Sequence, residues 1–180
     1  MAFTRQIRVP VGDPKLAQID IEKFLIISIG EQAPEFAATT LDGRPFKLSE
    51  LRGKVVLLDF WATWCAPCIG EMPNLLRAVE EYGGSGDFVI VGVSLDSSES
   101  AVKQFQQRRK IPWTQIVLGP AEQNPAAKKY NVSGIPATFL IDRDGKVVAK
   151  DLHGPALRRE LGKLLPAVRK PTHDGIASAD

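Results

Sequence analysis

The chain switches between two hydrophobic periods, and the switches divide it into elements. Residues 54–60 (KVVLLDF) and 88–95 (FVIVGVSL) are unbroken β-branched and aliphatic runs of strand length, the type buried on both faces of a central sheet. Between them Ile69, Met72, Leu75, Leu76 and Val79 recur at helical spacing over 66–82, and Gly83-Gly84 ends the pattern. Pro73 predicts a kink one turn into that helix. Further along, the pattern predicts a helix over about 98–109, a strand over 114–118 and a helix over 121–130. Residues 137–141 and 146–149 flank Asp142-Arg143-Asp144-Gly145, a hairpin signal, and a last helix is predicted over about 155–165.

Upstream of the first buried strand the pattern is shorter in range. Ala33-Pro34-Glu35-Phe36 leads into the turn signal Leu41-Asp42-Gly43, and Phe46-Lys47-Leu48-Ser49 follows as in a hairpin. Residues 49–53 read as a helical turn closed by Gly53. The run 24–27 (FLII) predicts an edge strand or a late-packing linker, and the proline-bearing polar stretch 166–180 predicts a mobile tail. The expected division is therefore an extension or linker over 1–29, one domain over 30–165, and a tail over 166–180. Strands alternating with helices and then a hairpin imply an α/β sheet with parallel central strands and an antiparallel edge.

Composition narrows the function classes. The 180 residues are 44% hydrophobic, enough for one domain with a sizeable core. Lys and Arg number 23 against 21 Asp and Glu, so no single-sign excess marks a nucleic-acid partner. The longest apolar runs fall well short of the ~20 residues of a membrane-spanning helix. Met1–Pro10 (MAFTRQIRVP) lacks the apolar stretch of a secretory signal, which leaves a cytosolic protein or one preceded by a further segment.

Only two cysteines are present, Cys65 and Cys68, too few for a disulfide framework or for a four-cysteine metal site. They open a helix directly after a buried strand, where the helix dipole and free amides stabilise a thiolate. Their spacing brings both sulfurs within one turn, so the pair can cycle between dithiol and disulfide. A static bridge is the alternative, but a four-residue loop constrains the unfolded chain little. Ile69 stands where a c-type haem motif requires histidine, and His153 and His173 are remote from the pair and expected at the surface.

The segment Asp59-Phe60-Trp61-Ala62-Thr63-Trp64-Cys65-Ala66-Pro67-Cys68 resembles the active-site segment of the thioredoxin superfamily. Ser133-Gly134-Ile135-Pro136-Ala137-Thr138-Phe139 resembles its second hallmark, a loop carrying a cis-proline beside the cysteines. Within that superfamily the chain is most similar to the TlpA/ResA-like thiol-disulfide oxidoreductases, through Leu41-Asp42-Gly43, Leu51-Arg52-Gly53-Lys54 and Glu71-Met72-Pro73. The long interval between Cys68 and Pro136 leaves room for an inserted strand-helix unit, which favours the same group. The resemblance implies a thioredoxin-like fold: a central mixed sheet flanked by helices, with an N-terminal hairpin and that insertion.

Residue roles follow from the resemblance and from chemistry together. Cys65 is expected to be the more exposed sulfur and the attacking thiolate, with Cys68 resolving the mixed disulfide. Asp59 is a carboxylate in an apolar strand, and burial should raise its pKa toward neutrality. The resemblance makes it the acid that exchanges protons with Cys68 through water; the alternative is an end-of-strand Asp bonded to nearby backbone. Trp64, Ala66 and Pro67 are expected at the contact surface, with Ile135 and Pro136 presenting backbone to a substrate strand, unless Pro136 is an ordinary turn proline. The family also implies that such a proline keeps metal from the thiolates. Glu71 either tunes the cysteines or is a solvated helix residue, Trp61 belongs to the core, and Trp113 either packs or borders the site. No lysine stands in 88–95 to pair with Asp59, unlike in thioredoxin itself.

The implied function is two-electron exchange with protein thiols and disulfides, fed by an upstream electron donor and running toward reduction. No cofactor is expected beyond the redox-active pair, no metal and no nucleic-acid partner, and the chain is expected to be a monomer. The resemblance places it outside the cytoplasm, through an upstream segment not in this chain, and in processes such as cytochrome c maturation. Two other functions use the same sulfurs: a copper-handling module with soft thiolate ligands, and a thiol peroxidase of related fold, whose threonine-and-arginine pattern Thr63-Trp64-Cys65 departs from.

Overall fold

The computed structural model describes residues 27–166. The expectations for 1–26, for the tail beyond 166 and for His173 lie outside the described residues, and of the run 24–27 only Ile27 is described. A short hairpin, β1 (Ala37–Thr39) and β2 (Pro45–Lys47), comes first and is antiparallel. It leads into a 3-10 turn over Leu48–Leu51. The buried run then forms β3 (Val55–Trp61), every residue of which is buried. It is followed by α1 (Ala66–Tyr82), β4 (Phe88–Ser94), α2 (Glu99–Arg109) and β5 (Thr114–Val117), then α3 (Pro125–Lys129), β6 (Ala137–Ile141), β7 (Val147–Lys150) and α4 (Gly154–Leu164).

The central sheet has the order β5-β4-β3-β6-β7. β3, β4 and β5 are parallel, whereas β6 and β7 run antiparallel to their neighbours. This is the thioredoxin-like arrangement, with α2 and β5 as the added unit on the β4 edge. Right-handed crossovers in one direction, β3 to β4 to β5, place α1 and α2 on the same face. Side-chain alternation along β3 then assigns the layers. Trp61 meets Phe105 of α2 on that face, while Phe60 packs with Tyr130 and Phe139 on the other, where Phe36 and Phe46 join them.

Two expectations shift. The helix predicted over 121–130 is only the five-residue α3, because Pro125 holds its predecessor out of the helical region. Asn124 turns instead into an N-cap, its side chain accepting from Ala127 N. α1 runs as one helix to Tyr82 with Pro73 inside it. His153 is half-buried as the N-cap residue of α4 rather than a surface residue.

Candidate active site

The chain leaves β3 at Trp61 and enters α1 at Ala66, so residues 62–65 form the bend at the carboxyl end of the central strand. Cys65 is the N-cap of α1, with φ −86° and ψ 96°. Its Sγ accepts from Cys68 N at 3.3 Å. Pro67 lies in the first turn, where a missing N–H costs no helical bond. The sulfur of Cys65 thus faces the positive end of a 17-residue helix, the position that favours negative charge.

Cys65 and Cys68 form a disulfide, and no free cysteine remains. In this oxidised form Cys65 is 5% exposed and Cys68 3%, so exposure separates them less than expected. Position in the helix is what distinguishes them: Cys65 precedes it and Cys68 is inside its first turn. Around them Trp64 is 66% exposed, and Ala66 and Pro67 are exposed beside it. The Trp64 indole is thus held out in solvent next to the buried disulfide.

Asp59 lies inside β3, not at its end, flanked by Gly92 on β4 and Thr138 on β6. It is buried, and no described residue hydrogen-bonds to its carboxylate, which removes the reading as a backbone-bonded strand terminus. Burial pushes its pKa up to about 7, and the negative charge of Glu71 adds to the rise. Asp59 shares the face of β3 that α1 covers, the helix that carries both Cys68 and Glu71. Glu71 is half-buried, and its Oε1 accepts from Gly154 N at the start of α4, so it is not a freely solvated residue.

The Ile135-Pro136 peptide bond is cis. Ile135 is half-buried, and its N–H and carbonyl enter neither the β6 ladder nor any turn bond. Trp61 is fully buried, as expected of core. Trp113 is 6% exposed and its carbonyl accepts from Gln106 Nε2, the packing alternative.

One part of the site escaped the sequence. Asp96, just past β4, accepts from Thr63 N at 2.9 Å and from Thr63 Oγ1 at 2.6 Å. Ser94 Oγ donates to the same carboxylate at 2.7 Å. This buried network fixes the bend two residues before Cys65. The one available signal was Ser94-x-Asp96, polar residues closing an otherwise apolar strand. Asp96→Ala should lower stability by about 2–4 kcal/mol, since it strands buried donors. A denaturant midpoint unchanged from the parent would contradict that role.

Residues 29–150 match the model of the AhpC/TSA family. The chain belongs to this family. Among curated relatives it is similar to thiol-disulfide oxidoreductase ResA of a Bacillus cereus strain, 38% identical over 127 residues that cover 69% of each chain. It also resembles the thioredoxin-like protein YneN of Bacillus subtilis (strain 168), 34% identical and covering 83% of this chain and 86% of that one. Among solved structures, the thioredoxin domain of a thiol-disulfide oxidoreductase from Bacteroides vulgatus superposes with TM-score 0.70 at 32% identity, covering 77% of this chain and 99% of that one. Within the family, then, the chain is similar to proteins that carry a thioredoxin domain, in agreement with the fold above. Among the described residues no group of three or more His, Cys, Asp or Glu is placed to hold a metal ion, and no helix is long and apolar enough to cross a membrane.

Proposed function

We propose that this protein is a thiol-disulfide oxidoreductase that reduces disulfides of other proteins through Cys65 and Cys68. The observation that carries the reading is a two-cysteine disulfide whose first sulfur is the N-cap of α1 and accepts an amide hydrogen there. Relatives named thiol-disulfide oxidoreductase support it.

In the reduced form the Cys65 thiolate attacks one sulfur of the substrate disulfide, and that bond breaks as the mixed disulfide forms. The substrate sulfur that leaves takes up a proton. Cys68 then gives its proton to Asp59, through water, and attacks Cys65 Sγ; the second substrate thiolate departs and Cys65–Cys68 closes. Two electrons pass from the pair to the substrate. Ile135 offers its unpaired backbone to an extended substrate segment, and Trp64, Ala66 and Pro67 form the apolar side of the contact. An upstream donor must then reduce the pair again. The resemblance to ResA supports a site of action outside the cytoplasm.

Thr63 bears on the peroxidase alternative. Its hydroxyl donates to Asp96 and so is committed to the bend rather than to Cys65. The test is stoichiometric: the reduced chain mixed with insulin should lose two thiols for each insulin disulfide reduced. Fast peroxide consumption with insulin left oxidised would support the peroxidase, and tight Cu(I) binding with neither reaction the copper module.

A further inference from the structure

Asp59 has no lysine beside it, and the structure shows what occupies that place. The residue paired with Asp59 on β4 is Gly92, and the residue paired with Gly92 on β5 is Gln115. Three parallel strands in register put Asp59, Gly92 and Gln115 in one row on the face that α1 covers. With no side chain at Gly92, the Gln115 amide lies across it toward Asp59. A Cβ on residue 92 would stand 2.4 Å from Gln115 Oε1 and 2.8 Å from Nε2.

The orientation of that amide is set by Trp61. The indole Nε1 can only donate, and it donates to Gln115 Oε1 at 2.9 Å. Nε2 is therefore the end left over, and it is buried with no hydrogen-bond partner. Gln115 is 2% exposed. A buried donor without a partner thus stands in the same row as a carboxylate that accepts from no described residue, with only the Gly92 strand between them. The stranded donor is costly alone, and a single water between the two groups would satisfy it.

We propose that Gln115 is a positioning residue for Asp59: its Nε2–H, held by Trp61 and admitted by Gly92, donates toward the Asp59 carboxylate through one water and fixes where the relayed proton is held. A neutral donor stabilises the ionised carboxylate without the full charge of a lysine, so it moderates the upward push from burial. The groups facing Asp59 are few. Glu71 of α1 is the only charged group acting on it among the described residues, β4 contributes Gly92, and β6 contributes Thr138, whose hydroxyl is engaged with Leu152. The Cys68 thiol joins them when the pair is reduced. The effect on exchange rests on the function proposed above; the effect on Asp59 does not.

The test is carboxyl-carbon NMR titration of Asp59 in the oxidised full chain, assigned by its loss in Asp59→Asn. Gln115→Met, which keeps length but no donor, should raise the Asp59 pKa by on the order of one unit. Gln115→Leu, which also lacks a donor and adds no charge, should raise it as far. If Gln115 only packs against Trp61, these variants lose thermal stability while the Asp59 titration stays at the parent value, and the proposal is overturned. Should Gln115→Met fail to fold, Gln115→Leu decides by the same titration. Insulin reduction by the parent chain is scored separately, so loss of the exchange reading leaves this result standing.

Discussion

Cys65→Ser should abolish disulfide reduction entirely, whereas Cys68→Ser should keep the first chemical step and lose only turnover. The asymmetry follows from the helix. Residue 65 is the N-cap, with its sulfur accepting from Cys68 N, so a thiolate there is met by amide hydrogens and the positive end of the dipole. Residue 68 is inside the first turn, buried, on the helix that covers Asp59. In the reduced protein Cys65 should accordingly be alkylated at pH 6 at least ~10-fold faster than an ordinary thiol, whose pKa near 8.5 leaves it almost wholly protonated. Mass mapping of the alkylated peptide checks this. Faster labelling of Cys68 would reverse the assignment of roles.

The second large effect is at Asp59, where one substitution should raise stability and lower activity together. The folded protein holds this carboxyl's proton more tightly than the unfolded chain does, with a pKa of about 7 against an ordinary 3.8. For a raised carboxylate the cost to folding is absent below the unfolded value, grows as pH rises from about 4, and is complete above about 7. Asp59→Asn removes the ionisation, so its advantage in denaturant unfolding should be small at pH 4 and on the order of 3–4 kcal/mol at pH 8. The same change removes the proton acceptor proposed for Cys68, and exchange should slow by about 10²–10³-fold and lose its inflection near pH 7. A variant equally stabilised at both pH values would show that Asp59 is not the titrating group.

Much of this was legible because it is local. The run 54–60 is uniformly apolar after Lys54 but for Asp59, and that single exception marks the acid in the sequence itself. The pair Cys65 and Cys68 gained meaning from a strand before them and a helix after. What stayed hidden depends on contacts between segments distant in sequence. Thr63 and Asp96 are joined only because β3 and β4 end side by side, and Gln115 reaches the Asp59 row only because residue 92 is glycine. Helical periodicity over 121–130 was misleading for a different reason: Pro125 in the middle of it starts a helix rather than continuing one. Likewise the near-equal burial of the two cysteines belongs to the closed disulfide, a state that spacing alone does not describe.

The most direct measurement of the central claim is a trapping experiment with Cys68→Ala. Reduced and mixed with a protein disulfide such as insulin, this variant should accumulate a covalent complex that dithiothreitol releases, and peptide mass spectrometry should place the linkage at Cys65. No complex under conditions where the parent chain reduces the same substrate would contradict the account.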